Sequence, residues 1–260
     1  MTDTVPKVGI LGVGHLISYL VPGMLRGSEK PDFLLSPRNH QIAQTLAQNH
    51  ELKIAASNAE LVEACDVVIV AVRPMQVKEA LDVLAWRPDQ TILSLCAGVS
   101  IAEMSAHTHG ATIIRALPVT AARFGESPTA LYPDCNIARS LLAPCGPIVV
   151  LENEDQFDAA SMFGAYYGWI QHLIGEMTEW ATASGLHPGA ARLLASQMTR
   201  AAATMVRDTP EKQIDALVEE LCLPGSITGL GLDCLHRAEA FKFWHQAGNS
   251  VLQQLKSSNI

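Results

Sequence analysis

Two kinds of apolar patterning take turns along the first half of the chain. Continuous apolar runs occupy residues 8–11, 33–35, 67–72, 92–95, 112–116 and 147–151. The run at 67–72, Val-Val-Ile-Val-Ala-Val, has no polar alternation, as expected of a strand covered on both faces. Between the runs, apolar residues fall at helical spacing over 16–26, 41–48, 59–64, 77–84 and 101–106. Strand, helix and strand in this rhythm predict a parallel, doubly wound α/β sheet of the Rossmann type.

The texture changes near residues 151–156, beyond which strand signals vanish. The spacing predicts one long helix over 156–184, bent where Gly164 and Gly168 fall four apart, with Gly185 closing it. Pro188 sits where a first-turn proline belongs, ahead of a second helix to residue 207. Thr209-Pro210 opens a third, reaching about residue 221. Leu223-Pro-Gly-Ser-Ile-Thr-Gly229 reads as a turn, and a last helix covers about 230–256. The expected organisation is therefore a sheet domain, 1–152, and an all-helical domain, 153–260.

Composition narrows the classes. The 260 residues are 48% hydrophobic and 17% charged, with only 5% aromatic residues. Small aliphatic side chains must therefore build the core, and the excess leaves room for a subunit interface. The formal charge of -8, with no basic run, excludes a duplex-binding surface, which needs clustered Lys and Arg. The six cysteines form no Cys-x-x-Cys pair, and several lie in apolar runs, so they read as buried thiols in a reducing cytosol. His107 and His109 are one residue apart, without a carboxylate or thiol cluster beside them, so no metal is expected. The start, residues 1–7, is short and polar, unlike a signal peptide, and no stretch reaches the roughly 20 apolar residues that span a bilayer. The expected location is cytoplasmic.

Chemistry first shows at Gly12-Val13-Gly14, which follows the first strand and opens the first helix. Two glycines permit a tight turn and close approach of a pyrophosphate, and the helix start offers amides and a favourable dipole. The third glycine of the full fingerprint is missing, since Ile17 and Ser18 occupy its place. A bare tight turn is the competing reading, and the position on the first βα turn favours the nucleotide. The second strand then ends in Ser36-Pro37-Arg38 rather than in the acid that holds an NAD ribose. A hydroxyl and a guanidinium there suit a 2′-phosphate, which points to NADP(H) over NAD.

With these features in place, the chain resembles the pyrroline-5-carboxylate reductase family along nearly its whole length. Gly12-Val-Gly-His15-Leu16 is similar to that family's Gly-x-Gly-Asn-Met, and Asn58 stands at its cofactor-binding Asn. Val72-Arg73-Pro74 resembles its Val-Lys-Pro, and Ser94-Leu-Cys-Ala97-Gly98-Val-Ser-Ile101 its Ser-x-x-Ala-Gly-Val-x-Ile. Gly185-Leu-His-Pro188 with Gln197, and Pro224-Gly225-Ser226-Ile227-Thr228-Gly229, are similar to its Gly-Leu-Pro with a following Gln and its Pro-Gly-Gly-Thr-Thr turn. The resemblance implies an NADPH-dependent reductase that transfers hydride to the C=N of 1-pyrroline-5-carboxylate, and a homodimer or higher homo-oligomer built through the C-terminal helices. It also implies catalysis at Thr228 and substrate binding by the backbone at Gly225, Ser226 and Ile227. Departures cluster on the substrate side: Val119 replaces an Asn after the sixth strand, and Tyr166-Tyr167 stand where Gly and Pro are usual. Leu223 replaces a Ser and Ser226 a Gly in the turn. Tyr166 and Val119 are therefore candidate pocket residues; the Tyr166 and Tyr167 hydroxyls are candidate donors, with helix packing as the competing role. His172 and His187 read as helix-surface or interface residues rather than acids.

Three functions stay open on the residues alone: a pyrroline-5-carboxylate reductase, a same-fold reductase of another imine or carbonyl compound, and a nucleotide-binding protein with little catalysis. A hydroxyacid dehydrogenase is disfavoured, because no lysine lies between Lys78 and Lys212 to serve as its catalytic base.

Overall fold

The computed structural model describes residues 6–257; the polar start read over 1–7 therefore lies partly outside the described residues. In chain order the elements are β1 (Lys7–Leu11), α1 (His15–Met24), β2 (Asp32–Leu35), α2 (His40–His50), β3 (Lys53–Ile54), α3 (Asn58–Ala64) and β4 (Val67–Val70). They continue with α4 (Val77–Asp82), β5 (Thr91–Ser94), α5 (Ile101–Ser105), β6 (Thr112–Leu117), β7 (Thr129–Tyr132), α6 (Asn136–Leu142) and β8 (Ile148–Val150). Helices alone follow: α7 (Glu154–Ala160), α8 (Met162–Ala183), α9 (Pro188–Asp208), α10 (Ile214–Glu219), α11 (Ile227–Arg237) and α12 (Ala240–Ser257).

All eight strands share one sheet, in the order β3-β2-β1-β4-β5-β6-β7-β8. From β3 to β6 every pairing is parallel; β7 runs antiparallel to β6, and β8 parallel to β7. Alternate strand residues feed two cores. Val8, Ile10, Ile69 and Leu93 pack with α1, α2 and α6, while Leu11, Val68, Val70 and Ile92 pack with α3, α4 and α5. This is the expected doubly wound architecture, with both sheet faces covered by helices. Side-chain caps set several helix starts: Ser57 accepts from the Glu60 amide and Ser100 from that of Glu103, each at 3.1 Å, and Asn153 from that of Gln156 at 2.9 Å.

The chain divides into two units. One reaches to Gly164 and takes in the chain again from Leu252; the other is Ala165–Val251. Three features differ from the sequence expectation. The helix expected over 156–184 is two helices, and the break falls at Ser161 rather than at Gly164 or Gly168. Ser161 returns its hydroxyl to the Phe157 carbonyl at 3.0 Å, and its amide is shared between the Phe157 and Asp158 carbonyls, which closes α7. The helix expected over 230–256 is also two, α11 and α12, with Glu239 in a left-handed conformation at φ 51° between them. The helix expected from Thr209-Pro210 is shorter and begins at Ile214.

Candidate active site

The parallel strands bring the ends of β1 to β6 to one edge of the sheet, and the sequence-predicted cofactor residues lie there. Gly12 and Gly14 follow β1, Ser36 and Arg38 follow β2, and Asn58 opens α3 just past β3. Val72, Arg73 and Pro74 follow β4, and Ala97 and Gly98 follow β5. The strand order reverses between β1 and β4, where open α/β sheets form a crevice for ligands.

The first turn is tightly built. Gly12 takes φ 97°, and a Cβ there would come within 2.8 Å of the Ala71 carbonyl oxygen, so only glycine fits. Its amide donates to Ser36 Oγ at 3.4 Å, which ties the β1 turn to the fully buried end of β2. Gly14 is the N-cap of α1, and a Cβ at Gly14 would meet nothing within 4 Å. The first turn of α1 carries no acid and no side-chain cap, so its leading amides have no side-chain acceptor. His15 is exposed on that turn, with its ring edge-to-face on Tyr19 at 5.0 Å, and Leu16 beside it is half-buried. A phosphate suits this cradle by charge and by shape.

Three further observations agree with a dinucleotide. Arg38 is exposed one residue past Pro37, near the Ser36 hydroxyl in sequence and with no acid between them. Asn58 Oδ1 is buried without a hydrogen-bond partner, as an acceptor awaiting a donor. On the other side of the β1–β4 crevice, the Cys96 thiol donates to the Val72 carbonyl at 3.3 Å and joins the loop after β5 to the end of β4. Burial pushes the Cys96 thiol up to about 11, so it stays protonated at neutral pH and acts as a tie rather than a nucleophile. The residues present fit NADP(H).

Val119, just past β6, is half-buried, and its amide donates to Ser127 Oγ at 2.8 Å. It begins a short 3-10 turn over Thr120–Phe124.

The remaining predicted residues belong to the unit Ala165–Val251. Ser226 caps α11, its hydroxyl accepting from the Gly229 amide at 3.0 Å. The stretch read from sequence as a turn through Gly229 therefore becomes helix three residues earlier than expected, at Ile227, and Ile227 and Thr228 lie in the first helical turn. Thr228 is exposed there, beside the amides a helix start leaves unpaired, and the turn carries no acid. Gly225 and Ser226 lead into it, and Ile227 is 88% exposed. Tyr166 meets Trp169 and Trp244 edge-to-face in an aromatic triad with centroids 6.1–6.5 Å apart. His187 Nδ1 accepts from the Gly189 amide at the start of α9, and His172 lies 3.5 Å from Glu176.

Sequence reading passed over one group at the sheet edge. Arg115 on β6 is 1% exposed, lies over the Phe157 ring, and bonds Glu154 at 2.7 Å and Asp158 at 2.8 Å. Glu154 also accepts the Ile101 amide at 2.7 Å. Its partners are 53 and 39 residues away, so no local spacing announces the group.

A parallel sheet with a glycine cradle at its switch point, followed by a purely helical segment, defines a dinucleotide-dependent oxidoreductase of the Rossmann class. Residues 7–98 match the family model described as "NADP oxidoreductase coenzyme F420-dependent", and residues 154–257 match "Pyrroline-5-carboxylate reductase dimerisation". Pyrroline-5-carboxylate reductase 1 of Bacillus spizizenii is 28% identical over 250 residues, spanning 89% of this chain and 82% of that one. Among solved structures, the 1-pyrroline-5-carboxylate reductase of Streptococcus pyogenes superposes with TM-score 0.87 at 23% identity, covering 97% of this chain and 98% of that one. The Plasmodium falciparum pyrroline carboxylate reductase with NADP bound does so with TM-score 0.86 at 20% identity, covering 98% of both. By sequence and by fold, the chain is similar to pyrroline-5-carboxylate reductases along nearly its whole length.

Proposed function

We propose that this protein reduces 1-pyrroline-5-carboxylate to proline with NADPH. The observation that carries the reading is Thr228: an exposed hydroxyl on the first turn of a serine-capped helix, inside the segment that matches the dimerisation model. The cofactor, when bound, supplies the hydride. Gly12, Gly14, His15 and Leu16 would hold its pyrophosphate and the exposed Arg38 its 2′-phosphate, with the buried Ser36 fixing the turn between them through the Gly12 amide. Asn58, Val72, Arg73, Pro74, Ala97 and Gly98 line the rest of its groove.

The backbone around Gly225, Ser226 and Ile227 binds the substrate carboxylate, favoured by the helix dipole, with the Ser226 amide itself held by the Leu223 carbonyl at 2.9 Å. Thr228 Oγ1 hydrogen-bonds the ring nitrogen, or a water that protonates it, as the imine carbon accepts hydride. The adduct keeps both ring atoms and gains one hydride and one proton, which gives proline.

We assign the cofactor to a domain of residues 1–152 and substrate binding and assembly to residues 153–260, in a cytoplasmic homodimer. The dimer reading is supported by apolar excess: α8 has 22 residues and none buried, and Trp180, Leu193 and Met198 are each more than 60% exposed. No described helix is long and apolar enough to cross a membrane.

Purified protein is expected to oxidise NADPH on addition of pyrroline-5-carboxylate. Thr228→Ala lowers kcat by about a hundredfold, the scale of one positioned proton donor, while NADPH affinity stays unchanged. Tight NADPH binding with no turnover would overturn the substrate assignment.

A further inference from the structure

The loop between β5 and α5 is secured only in part by its own residues: the Val99 amide reaches the Cys96 carbonyl at 3.4 Å, and the Cys96 thiol reaches Val72 at 3.3 Å. Gly98 is buried in a left-handed conformation at φ 74°, and the Ile101 amide opens α5 where no intrahelical acceptor exists. Ser100 caps that helix but takes the Glu103 amide, which leaves Ile101 to find a partner elsewhere. It finds Glu154 Oε1 at 2.7 Å. That same oxygen accepts from Arg115 Nη1 at 2.7 Å, and Asp158, one turn further along α7, holds the same guanidinium nitrogen at 2.8 Å. Arg115 is 1% exposed, with Phe157 below it, so the carboxylate's position is fixed by a buried cation that cannot swing away.

The opposite side of the loop is closed by the last turn of α12. A Cβ built on Gly98 would lie 3.3 Å from Leu255 Cδ2 and 3.5 Å from the Leu255 carbonyl oxygen. A larger residue at position 98 would meet this turn as well as the φ penalty. Beyond the Cys96 tie, the loop thus meets two contacts from the C-terminal segment, one near each end of the 154–257 match, while the nucleotide-domain match stops at Gly98 itself. Neither contact belongs to the strand–turn–helix unit that binds a dinucleotide in general.

We propose that Glu154 and Leu255 are positioning residues for the cofactor, acting through the Ala97–Gly98 loop. The proposal rests on the assignment of Ala97 and Gly98 to the cofactor groove. Glu154 fixes the start of α5 and Leu255 seals the glycine, so the loop is set before the dinucleotide arrives. The C-terminal segment thereby governs cofactor affinity as well as assembly.

The test uses the full-length protein with Glu154→Ala, Glu154→Gln and Leu255→Ala. Gln keeps an acceptor for the Ile101 amide and removes only the charge facing Arg115. Glu154→Ala and Leu255→Ala should each weaken NADPH binding about tenfold, as a displaced contact surface does. Glu154→Gln should restore most of that affinity even though its Tm falls with the lost ion pair. A merely structural role predicts the reverse ranking: affinity unchanged in every variant below its Tm, with only Tm falling. That result would overturn the proposal. Amide exchange over residues 96–101 without cofactor provides the second reading. It should quicken in Glu154→Ala and Leu255→Ala, and unchanged exchange would also overturn the clamp. If the unaltered protein fails to bind NADPH, the cofactor assignment falls, whereas the exchange result still decides whether the clamp exists.

Discussion

The proposed preference for NADPH over NADH rests on Arg38. It is exposed just beyond the buried Ser36, in the place where an acid would hold the ribose hydroxyls of NAD. Arg38→Ala is expected to raise KM for NADPH about tenfold to a hundredfold, the equivalent of about 1.4–2.8 kcal/mol for a charge-assisted hydrogen bond. KM for NADH stays the same. Parallel KM determinations decide it, and an equal rise for both cofactors would remove the 2′-phosphate role. The buried thiols act at the same scale. Burial pushes Cys65 and Cys96 up to about 11 and Cys145 up to about 12. An unfolded thiol ionises near about 8.5, so the folded state holds these protons where the unfolded chain loses them. Their contribution to stability is therefore full below about pH 8.5 and declines as pH rises from there towards 11–12. Urea midpoints measured from pH 7 to 10 should fall only in the upper part of that range. A single Cys145→Ser variant keeps a buried polar group but titrates out of range, and it should flatten the fall.

Helix boundaries show most clearly where local chemistry suffices and where it does not. Ser226 departs from the family's glycine, yet serine and glycine are both good residues for a helix start. Because its hydroxyl takes the Gly229 amide, Thr228 is carried on a helix rather than on an irregular turn. Ser226→Ala is expected to lower Tm by about 2–4 °C, corresponding to about 1 kcal/mol of capping. Ser226→Gly should cost a fraction of that, and calorimetry of the pair separates capping from other losses. The Val-Val-Ile-Val core of β4, the glycine turn and the Ser36–Arg38 strand end were all legible, because periodicity and turn chemistry are local. β7 was not: Thr129–Tyr132 is four residues between Pro128 and Pro133, and its burial alternates only because it lies against β6. β3 is two residues long, and α6 carries no side-chain cap to mark its start. The break at Ser161 was missed for a related reason. Glycine is the usual suspect in a long helix, whereas here a hydroxyl returning to its own backbone ends the turn.

At the scale of the whole molecule, the sheet domain is well buried and the helices from α8 onward are not. A chain that leaves α8, α11 and α12 without a buried residue is expected to cover them with a second copy. Residue spacing could suggest that surplus, but not what the C-terminal segment does for the loop after β5. The partners of Glu154 are brought together only by the folded sheet, and Leu255 reaches Gly98 from the far end of the chain. Thr228 likewise stood out by resemblance alone, since an isolated threonine on a glycine turn carries no chemical signature.

Hydride transfer to an imine carbon can be followed through the hydride itself. NADPH carrying deuterium at the transferring C4 position is incubated with unlabelled pyrroline-5-carboxylate, and the product is analysed by mass spectrometry. Proline one mass unit heavier is expected, with the deuterium at C5 and none elsewhere, and little labelled product from Thr228→Ala. NADPH held tightly by the protein while no deuterium enters proline would contradict it.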